Sequence, residues 1–481
     1  MIYLNYQALA NKYLSGSGAV INDEDPSNHR NIATFQSMRT DDVRRLIDAG
    51  LEAEREWAKT SPPKRGQILL RAGELLDAER DDFSMLMTVE EGKVLKDSLI
   101  EVARSAATLK FYGAAAFGYG GRTLPSADNA TYIQTLKEPL GLVALITPWN
   151  FPLSIPVWKL GPALAAGNAA VIKPSSKTPL IVAALLDLLY RAGLPRDVVG
   201  IAAGSGKEIG DELVENDDVA AVSFTGSVPV GKGIYRRLGD KRKMTRIQLE
   251  LGGKNALYID SGCDLSKAVE FSVRGAFGLT GQSCTATSRA IVHRDAYEAY
   301  RKRLLERVNS WKVGAGTDEH ADMGPVVDAS QLAVDTDYIS KGQEEGASLI
   351  YGGKKLHGEG YFLEPAVFDG VTRDMSIFNE EIFGPVLGIT VVDSFGEGVE
   401  LINSVSFGHT AGIVSDVHSN VQRFVKEVDA GVVKVNKPTV GLELQAPFGA
   451  LKDSGANTWK EMGFSALDFY TREKTAYIGW S

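Results

Sequence analysis

At 481 residues the chain has room for about three lobes of ordinary size and a sizeable buried core. Hydrophobic residues at 44% and charged residues at 23% exclude a mostly disordered or collagen-like chain. A net charge of −9 with no basic stripe argues against nucleic acid or an anionic membrane as partner. From Thr40 to Ala58, Val43, Leu46, Ile47 and Leu51 share one helical face, and Thr40, Asp41 and Asp42 give a capped, negative first turn. Pro62–Pro63 restarts the chain as a second helix carrying Ile68, Leu69, Leu75 and Leu76. A third helical stretch runs from about Lys96 to Phe117 and stops at Gly118–Gly121. Thr131–Leu136 and Gly141–Ile146 read as strands on either side of a turn at Pro139–Leu140–Gly141.

Beyond this point strands and helices alternate. Strands are expected at Ala169–Ile172, Val198–Ala203 and Ala220–Phe224, and helices at Ile181–Tyr190, Ile209–Val214 and about Gly231–Leu238. That spacing predicts a parallel sheet covered on both faces. A strand at Arg289–His293 and helices at Ala296–Val308 and Gly396–Val405 continue the pattern, giving two α/β lobes with a small β appendage. Two cysteines, Cys263 and Cys284, cannot build a disulfide framework and suit a reducing cytosol. Met1 to Leu14 lacks a basic-then-apolar signal pattern and no apolar run reaches the length of a membrane span, so a cytoplasmic protein is expected.

Few residues stand out chemically. Gly204–Gly210 follows a strand and opens a helix, but its last glycine is one residue late for G-x-G-x-x-G, so a tight turn is an equal reading. Gly226-Ser227, where a strand meets a helix N-terminus, is the better anion site, because free N–H groups and the helix dipole favour negative charge there. A glycine needed only for packing is the alternative. Cys284 lies among small neighbours in Thr280–Thr285 that leave its sulfur reachable, whereas Cys263 reads as buried and inert. Glu250 is a lone acid in an apolar strand, where burial would raise its pKa towards a general base's range; an ion pair with Arg246 is the alternative. His29, His293, His320, His357, His409 and His418 are scattered and suggest neither a metal site nor a catalytic dyad.

Eight motifs then follow one another: Thr147–Pro152, Ile172–Ser175, Phe224–Ser227, Leu249–Gly253, Gly281–Cys284, Glu380–Pro385, Pro447–Gly449 and Lys460–Gly463. In this order they make the chain similar to the aldehyde dehydrogenase family over nearly its whole length. The resemblance implies an α/β fold with a Rossmann-like cofactor domain (residues 1–119 and 141–247), an α/β catalytic domain (248–450) and oligomerisation elements (120–140 and 466–481). It implies Cys284 as nucleophile, Asn150 and the Cys284 N–H as oxyanion donors, and Glu250 as the base for hydrolysis, with Lys159 and Glu461 in a proton path. By the same resemblance Lys173 and Glu381 hold the cofactor riboses, Trp149 and Ser227 line the pyrophosphate site, and Phe383 sits beside the nicotinamide. Ser175, Ser176, Gly226 and Gly252 complete the cofactor site.

The stretches Gln248–Asn255, Gly281–Ser288 and Gly441–Pro447 resemble the subgroup that oxidises 2,5-dioxopentanoate (α-ketoglutarate semialdehyde) to 2-oxoglutarate. Succinate semialdehyde or glyceraldehyde is the alternative substrate. A coenzyme A-acylating enzyme is disfavoured by an intact Glu250, and a non-catalytic relative by the presence of both Cys284 and Glu250. Relatives specific for NAD often carry a glutamate at the position of Ser176; a neutral hydroxyl there, with Lys173 or Lys177 nearby, makes NADP the expected cofactor and NAD a possible second. By the same resemblance Arg104, Phe151, Ser154 and Trp158 line the substrate tunnel; Arg104 either grips a substrate carboxylate, or snorkels to water or pairs with Glu101, and Lys437 is a second candidate for that grip. The strands near Thr131–Ile146 and Lys474–Gly479 resemble the family's oligomerisation elements, whose edges would otherwise stay unpaired in water, so a homo-oligomer, a dimer or tetramer, is expected.

Overall fold

The computed structural model describes residues 4–480, so residues 1–3 and 481 of the expected N-terminal and C-terminal ranges lie outside the described residues. Two parallel-sheet lobes face each other. The first holds five parallel strands in the spatial order Val199–Ile201, Ala169–Lys173, Leu142–Ile146, Val219–Thr225, Arg246–Glu250. Leu142–Ile146 and Ala169–Lys173 are buried along their whole length, which is why they read as apolar runs rather than as alternations. The chain builds outwards from Leu142–Ile146, then returns to its other side at Val219–Thr225. That reversal opens a crevice beyond the carboxyl ends of the two strands, where sheets of this kind bind ligands. The last strand runs to Glu250, so the expected boundary at 248 falls inside the first sheet.

The second lobe is a seven-stranded sheet ordered Ser348–Gly352, Ala366–Asp369, Val386–Val392, Thr287–His293, Asn255–Ile259, Thr410–Val414, Val432–Val435. Only Ser348–Gly352 runs antiparallel. The loops that enter its strands, Gly252–Lys254, Gly281–Ala286, Glu381–Pro385 and His409, meet the loops that leave the first sheet. The site therefore lies between strand ends of two sheets.

The third unit pairs Thr131–Pro139 antiparallel with Thr471–Gly479 over nine residues and with Thr123–Leu124 on the other side. The two segments expected to need a second chain thus pair with each other first, leaving one outer edge on Thr471–Gly479. No described helix is long and apolar enough to cross a membrane.

The expected helices are present at Thr40–Trp57, Pro62–Ala78, Leu95–Ala115, Leu180–Ala192, Gly206–Glu215, Val228–Gly239, Arg294–Asn309 and Phe395–Asn403. Others gave a weaker signal. Ser154–Ala166 carries Pro156 and Pro162 and is buried almost all round, so no polar face marks its period. Leu265–Phe277 and Ala329–Glu344 are announced only by their caps, Asp264 and Asp328, whose carboxylates accept N–H groups of the first turn.

Candidate active site

Cys284 is carried on a loop with no freedom to slide. After helix Leu265–Phe277 a short turn places Leu279, Thr280 and Gly281 in left-handed backbone conformations, a form of strain that collects at functional sites. Any Cβ on Gly281 would sit 2.2 Å from the Gly384 carbonyl oxygen, so the loop packs directly on the Glu381–Gly384 segment. Gln282 accepts the Val327 N–H at 3.0 Å, and the Cys284 carbonyl accepts from Asn255 Nδ2 at 2.8 Å. The residue is partly exposed, to a cavity of about 230 Å³ lined also by Trp149, Asn150, Gly226, Gly252 and Glu381. The close walls desolvate the sulfur. Burial first, then the charges of Glu250, Glu381 and Glu461, push the thiol well above its ordinary range, so it rests protonated. Cys263 behaves as the sequence suggests, buried and pushed up to about 11 by burial, then by Asp260.

Asn150 leaves the strand Leu142–Ile146 and points into the same cavity. Its Nδ2 donates to the Gln282 carbonyl at 2.9 Å, which fixes the amide plane and leaves the second N–H of that nitrogen available. The backbone of Asn150 is held by two residues that gave no sequence signal for this role. Lys93 Nζ donates to the Asn150 carbonyl at 2.7 Å and to Glu101 at 2.7 Å, while Glu101 accepts from Leu153 N and Ser154 N at 3.1 and 2.9 Å. A buried ion pair thus clamps Asn150 to the start of helix Ser154–Ala166.

Glu250 ends the strand Arg246–Glu250 and is buried, with no hydrogen-bond partner on Oε2. Burial, then Glu461, raises its carboxyl well above the usual range, against the pull of Lys460, Lys159 and the Ala450 amide. Arg246 is not its partner: Arg246 Nη1 donates to the carbonyls of Asp468, Phe469 and Thr471. Lys159 pairs with Glu461 and donates to Ser223 Oγ at 2.6 Å, and Ser223 donates to Gln248 Oε1 at 2.7 Å. No direct hydrogen bond joins this group to Glu250 among the described residues; the coupling is through charge. His409, one of six scattered histidines, lies with Nε2 3.8 Å from Glu250 Oε2.

The remaining walls suit a dinucleotide. Gly252 packs so tightly on Glu381 that a Cβ would lie 1.9 Å from its carboxylate, and Glu381 accepts the Gly253 N–H at 2.7 Å. Burial pushes Glu381 up to about 7. Ser227 begins helix Val228–Gly239 without spending its side chain on a cap, so the hydroxyl and the first N–H groups stay available beside Gly226. Lys173 is buried with its ammonium on the Pro174 carbonyl at 3.0 Å, and burial lowers it to about 8. Ser175 accepts the Lys177 N–H at 3.2 Å, and Ser176 is partly exposed beside it. Lys177 is not a free cation for a phosphate, because Asp328 pairs with it at 2.6 Å and its ammonium lies 5.2 Å from the Trp149 ring centre. Phe383, at φ +65°, meets Trp149 edge to face at 5.4 Å. Gln331 also reaches this cavity, braced by Asp335 at 2.8 Å and donating to the Ile382 carbonyl at 3.0 Å; the capping pattern Asp328-x-x-Gln331 was its only sequence signal.

Arg104 is half-buried and donates to the Leu442 carbonyl, and burial lowers its pKa against the opposing pull of Glu443 and Glu101. It does not pair with Glu101, which Lys93 occupies. Lys434 and Lys437 share its neighbourhood, since both Lys437 and Arg104 depress Lys434, after burial. Lys93 lies 4.9 Å from the Phe151 ring centre, Ser154 Oγ is 3.1 Å from Ser105 Oγ, and the Trp158 ring packs on Phe448 at 6.0 Å.

A profile of the aldehyde dehydrogenase family matches residues 13–476. The chain is 59% identical over 477 residues to 2,5-dioxopentanoate dehydrogenase of Saccharolobus solfataricus, covering 99% of this chain and 100% of the relative. It is 44% identical over 450 residues to alpha-ketoglutarate semialdehyde dehydrogenase of Haloferax volcanii, covering 93% and 92%. The crystal structure of betaine aldehyde dehydrogenase from Staphylococcus aureus in complex with NAD+ superposes with a TM-score of 0.93 at 30% identity, over 99% of this chain and 98% of that one.

Proposed function

Because the chain belongs to the aldehyde dehydrogenase family, we propose that it oxidises 2,5-dioxopentanoate to 2-oxoglutarate through a thioester on Cys284. The observation that carries this reading is the convergence of Cys284, the Asn150 amide and buried Glu250 from strand ends of two sheets. The Cys284 thiol gives up its proton to solvent through the cavity that opens on it, while Glu250 stays in reserve for the hydrolytic step. Sulfur then adds to the aldehyde carbon, and the new oxyanion lies between the free Asn150 N–H and the Cys284 N–H. Each such donor contributes about 3–4 kcal/mol to transition states of this type. A bound nicotinamide supplies the acceptor for the hydride that leaves the same carbon. Water next adds to the thioester, Glu250 takes its proton, the C–S bond breaks, and the acid leaves as Cys284 is restored.

Specificity for an acidic semialdehyde rests on the names of the two relatives and on Arg104, Lys434 and Lys437, which lie near one another with Glu443 among them. For the cofactor, we infer NADP as preferred and NAD as accepted. Ser176 brings no charge against a 2′-phosphate, and Lys173 has no carboxylate partner among the described residues. Gly252, Ser227 and Glu381 fit either dinucleotide. The buried carboxyl of Glu250, read as the base that activates water, supports hydrolysis over acyl transfer to coenzyme A. The test is a panel of 2,5-dioxopentanoate, succinate semialdehyde and glyceraldehyde with both cofactors, scoring reduced nicotinamide and free acid. Cys284→Ala is expected to abolish turnover while binding of the cofactor persists; turnover near wild type in that variant would sink the mechanism.

A further inference from the structure

His409 stands at the entrance to strand Thr410–Val414, where the Thr410 N–H is held by Asn255 Oδ1 at 2.9 Å. The backbone is therefore tied to the residue that also holds the Cys284 carbonyl. The imidazole is buried, its ring centre 5.2 Å from that of Phe448. Nδ1 lies 3.4 Å from Thr410 Oγ1; with that hydroxyl donating to Nδ1, the ring proton sits on Nε2. Among the described residues Nε2 has no hydrogen-bond partner, and neither does Glu250 Oε2, 3.8 Å away. Two buried orphan polar atoms facing each other are uncommon, because each left unpaired costs about 1–3 kcal/mol. The gap exceeds a hydrogen bond by less than about 1 Å, which a modest rotation of the glutamate side chain closes.

We propose that His409 is a positioning residue for Glu250, its Nε2–H donating to the carboxylate and holding it, oriented and ionised, for attack by water on the thioester. The proposal rests on the reading of Glu250 as the hydrolytic base. Charged and titratable groups face the pair from three other segments. Lys460 faces both residues from the segment preceding helix Gly463–Phe469, and its ammonium is spent on the Gly449 carbonyl. Glu461 comes from the same segment, Lys159 from helix Ser154–Ala166, and Cys284 from the nucleophile loop. Burial, then Lys460, lowers His409 to about 3, so the imidazole is a neutral donor across the working range and not a cation. Its effect is to oppose the burial that lifts Glu250. Removing it raises Glu250 further, and the base form is then present only at higher pH.

The experiment compares His409→Leu, His409→Gln and the wild-type enzyme in pH profiles of steady-state turnover, with the first turnover of reduced nicotinamide followed by stopped flow. In the leucine variant the acid limb of turnover is expected to move up by about one pH unit, and turnover at neutral pH to fall about tenfold, one pKa unit being a factor of ten. The first turnover stays within about twofold of wild type, while glutamine, which restores an N–H donor, recovers most of the profile. In a Glu250→Gln background the leucine substitution adds nothing further. A superimposable pH profile overturns the proposal, as does an equal loss of first turnover and steady state that adds fully to Glu250→Gln. His409→Met, donor-free and of similar bulk, is read in the same way if the leucine variant does not fold; failure of both to fold assigns His409 to packing and also overturns it. If Glu250→Gln itself shows no burst before a slow steady state, the reading of Glu250 fails, whatever His409 does.

Discussion

In the proposed role of hydrolytic base Glu250 must be ionised to take a proton from water, and burial together with Glu461 lifts its pKa. The sign follows directly: the base form accumulates only above that raised value, so turnover falls as pH drops through it. The acid limb of the kcat profile is expected to lie above the ordinary carboxylate range, and a limb near pH 4 would contradict a buried base. Glu250→Gln should abolish that limb and leave a burst of reduced cofactor ahead of slow turnover. At the far end of the substrate, Arg104→Ala should raise KM for acidic semialdehydes and spare glyceraldehyde. The guanidinium is half-buried, which sets the loss near the low end for charge pairs, about 2 kcal/mol or roughly thirtyfold in kcat/KM. Equal losses for charged and neutral aldehydes would make Arg104 a support for the Leu442 loop. Ser176→Glu should cut NADP efficiency far more than NAD efficiency, because the new carboxylate repels a 2′-phosphate and accepts ribose hydroxyls. Comparable losses with both cofactors would remove Ser176 from the selectivity argument.

Among the loops, two contacts hold the catalytic groups in place. Gly252 exists as glycine because the Glu381 carboxylate occupies the space of its Cβ, at 1.9 Å. Gly252→Ala must displace Glu381, so cofactor KM is expected to rise with little change in folding; titration of cofactor binding by protein fluorescence reads this directly. The second contact is the buried pair Lys93–Glu101, which spans helix Leu95–Ala115, the Asn150 backbone and the first turn of Ser154–Ala166. Lys93→Met leaves Glu101 charged, buried and unpaired, at a cost of about 3–5 kcal/mol. Both the denaturation midpoint and the rate of the first turnover are expected to fall, since Asn150 loses its backbone tether. A stable variant with a normal first turnover would show that the bond to the Gln282 carbonyl is enough to position Asn150.

For the whole molecule, the two sheets meet end to end, so that loops leaving one and entering the other share a single cavity. The three-stranded unit stands apart from that cavity. Its strand Thr471–Gly479 has one unpaired edge, and Tyr477 and Trp480 at its end are 72% and 67% exposed. A free edge with exposed aromatics is an aggregation hazard unless a second copy covers it, and this supports a homo-oligomer. A Tyr477→Glu, Trp480→Glu double variant should shift the mass seen by light scattering to a smaller species without loss of secondary structure. A single-chain mass for the wild-type protein would end the assembly argument.

What the sequence determined by itself was whatever local chemistry and chain order encode. The alternation of strands and helices marked a parallel α/β sheet, because apolar runs such as Ala169–Ile172 have little reading other than a doubly covered strand. Motifs that surround Cys284, Asn150 and Glu250 identified the family and the roles it implies. What only the tertiary structure decided concerns partners distant in sequence. Lys177 looked free until Asp328, 151 positions away in number, was seen to neutralise it. Arg104 and Glu101 are neighbours on one helix, yet Lys93 claims the acid and Leu442 the arginine. His409 carried no local signal at all, because its relation to Glu250 exists only where the strand Thr410–Val414 of one sheet is laid beside the end of Arg246–Glu250 from the other. Periodicity and motifs are short-range properties of a chain, whereas a charge or a hydrogen-bond donor acts on whatever the fold brings within a few ångströms.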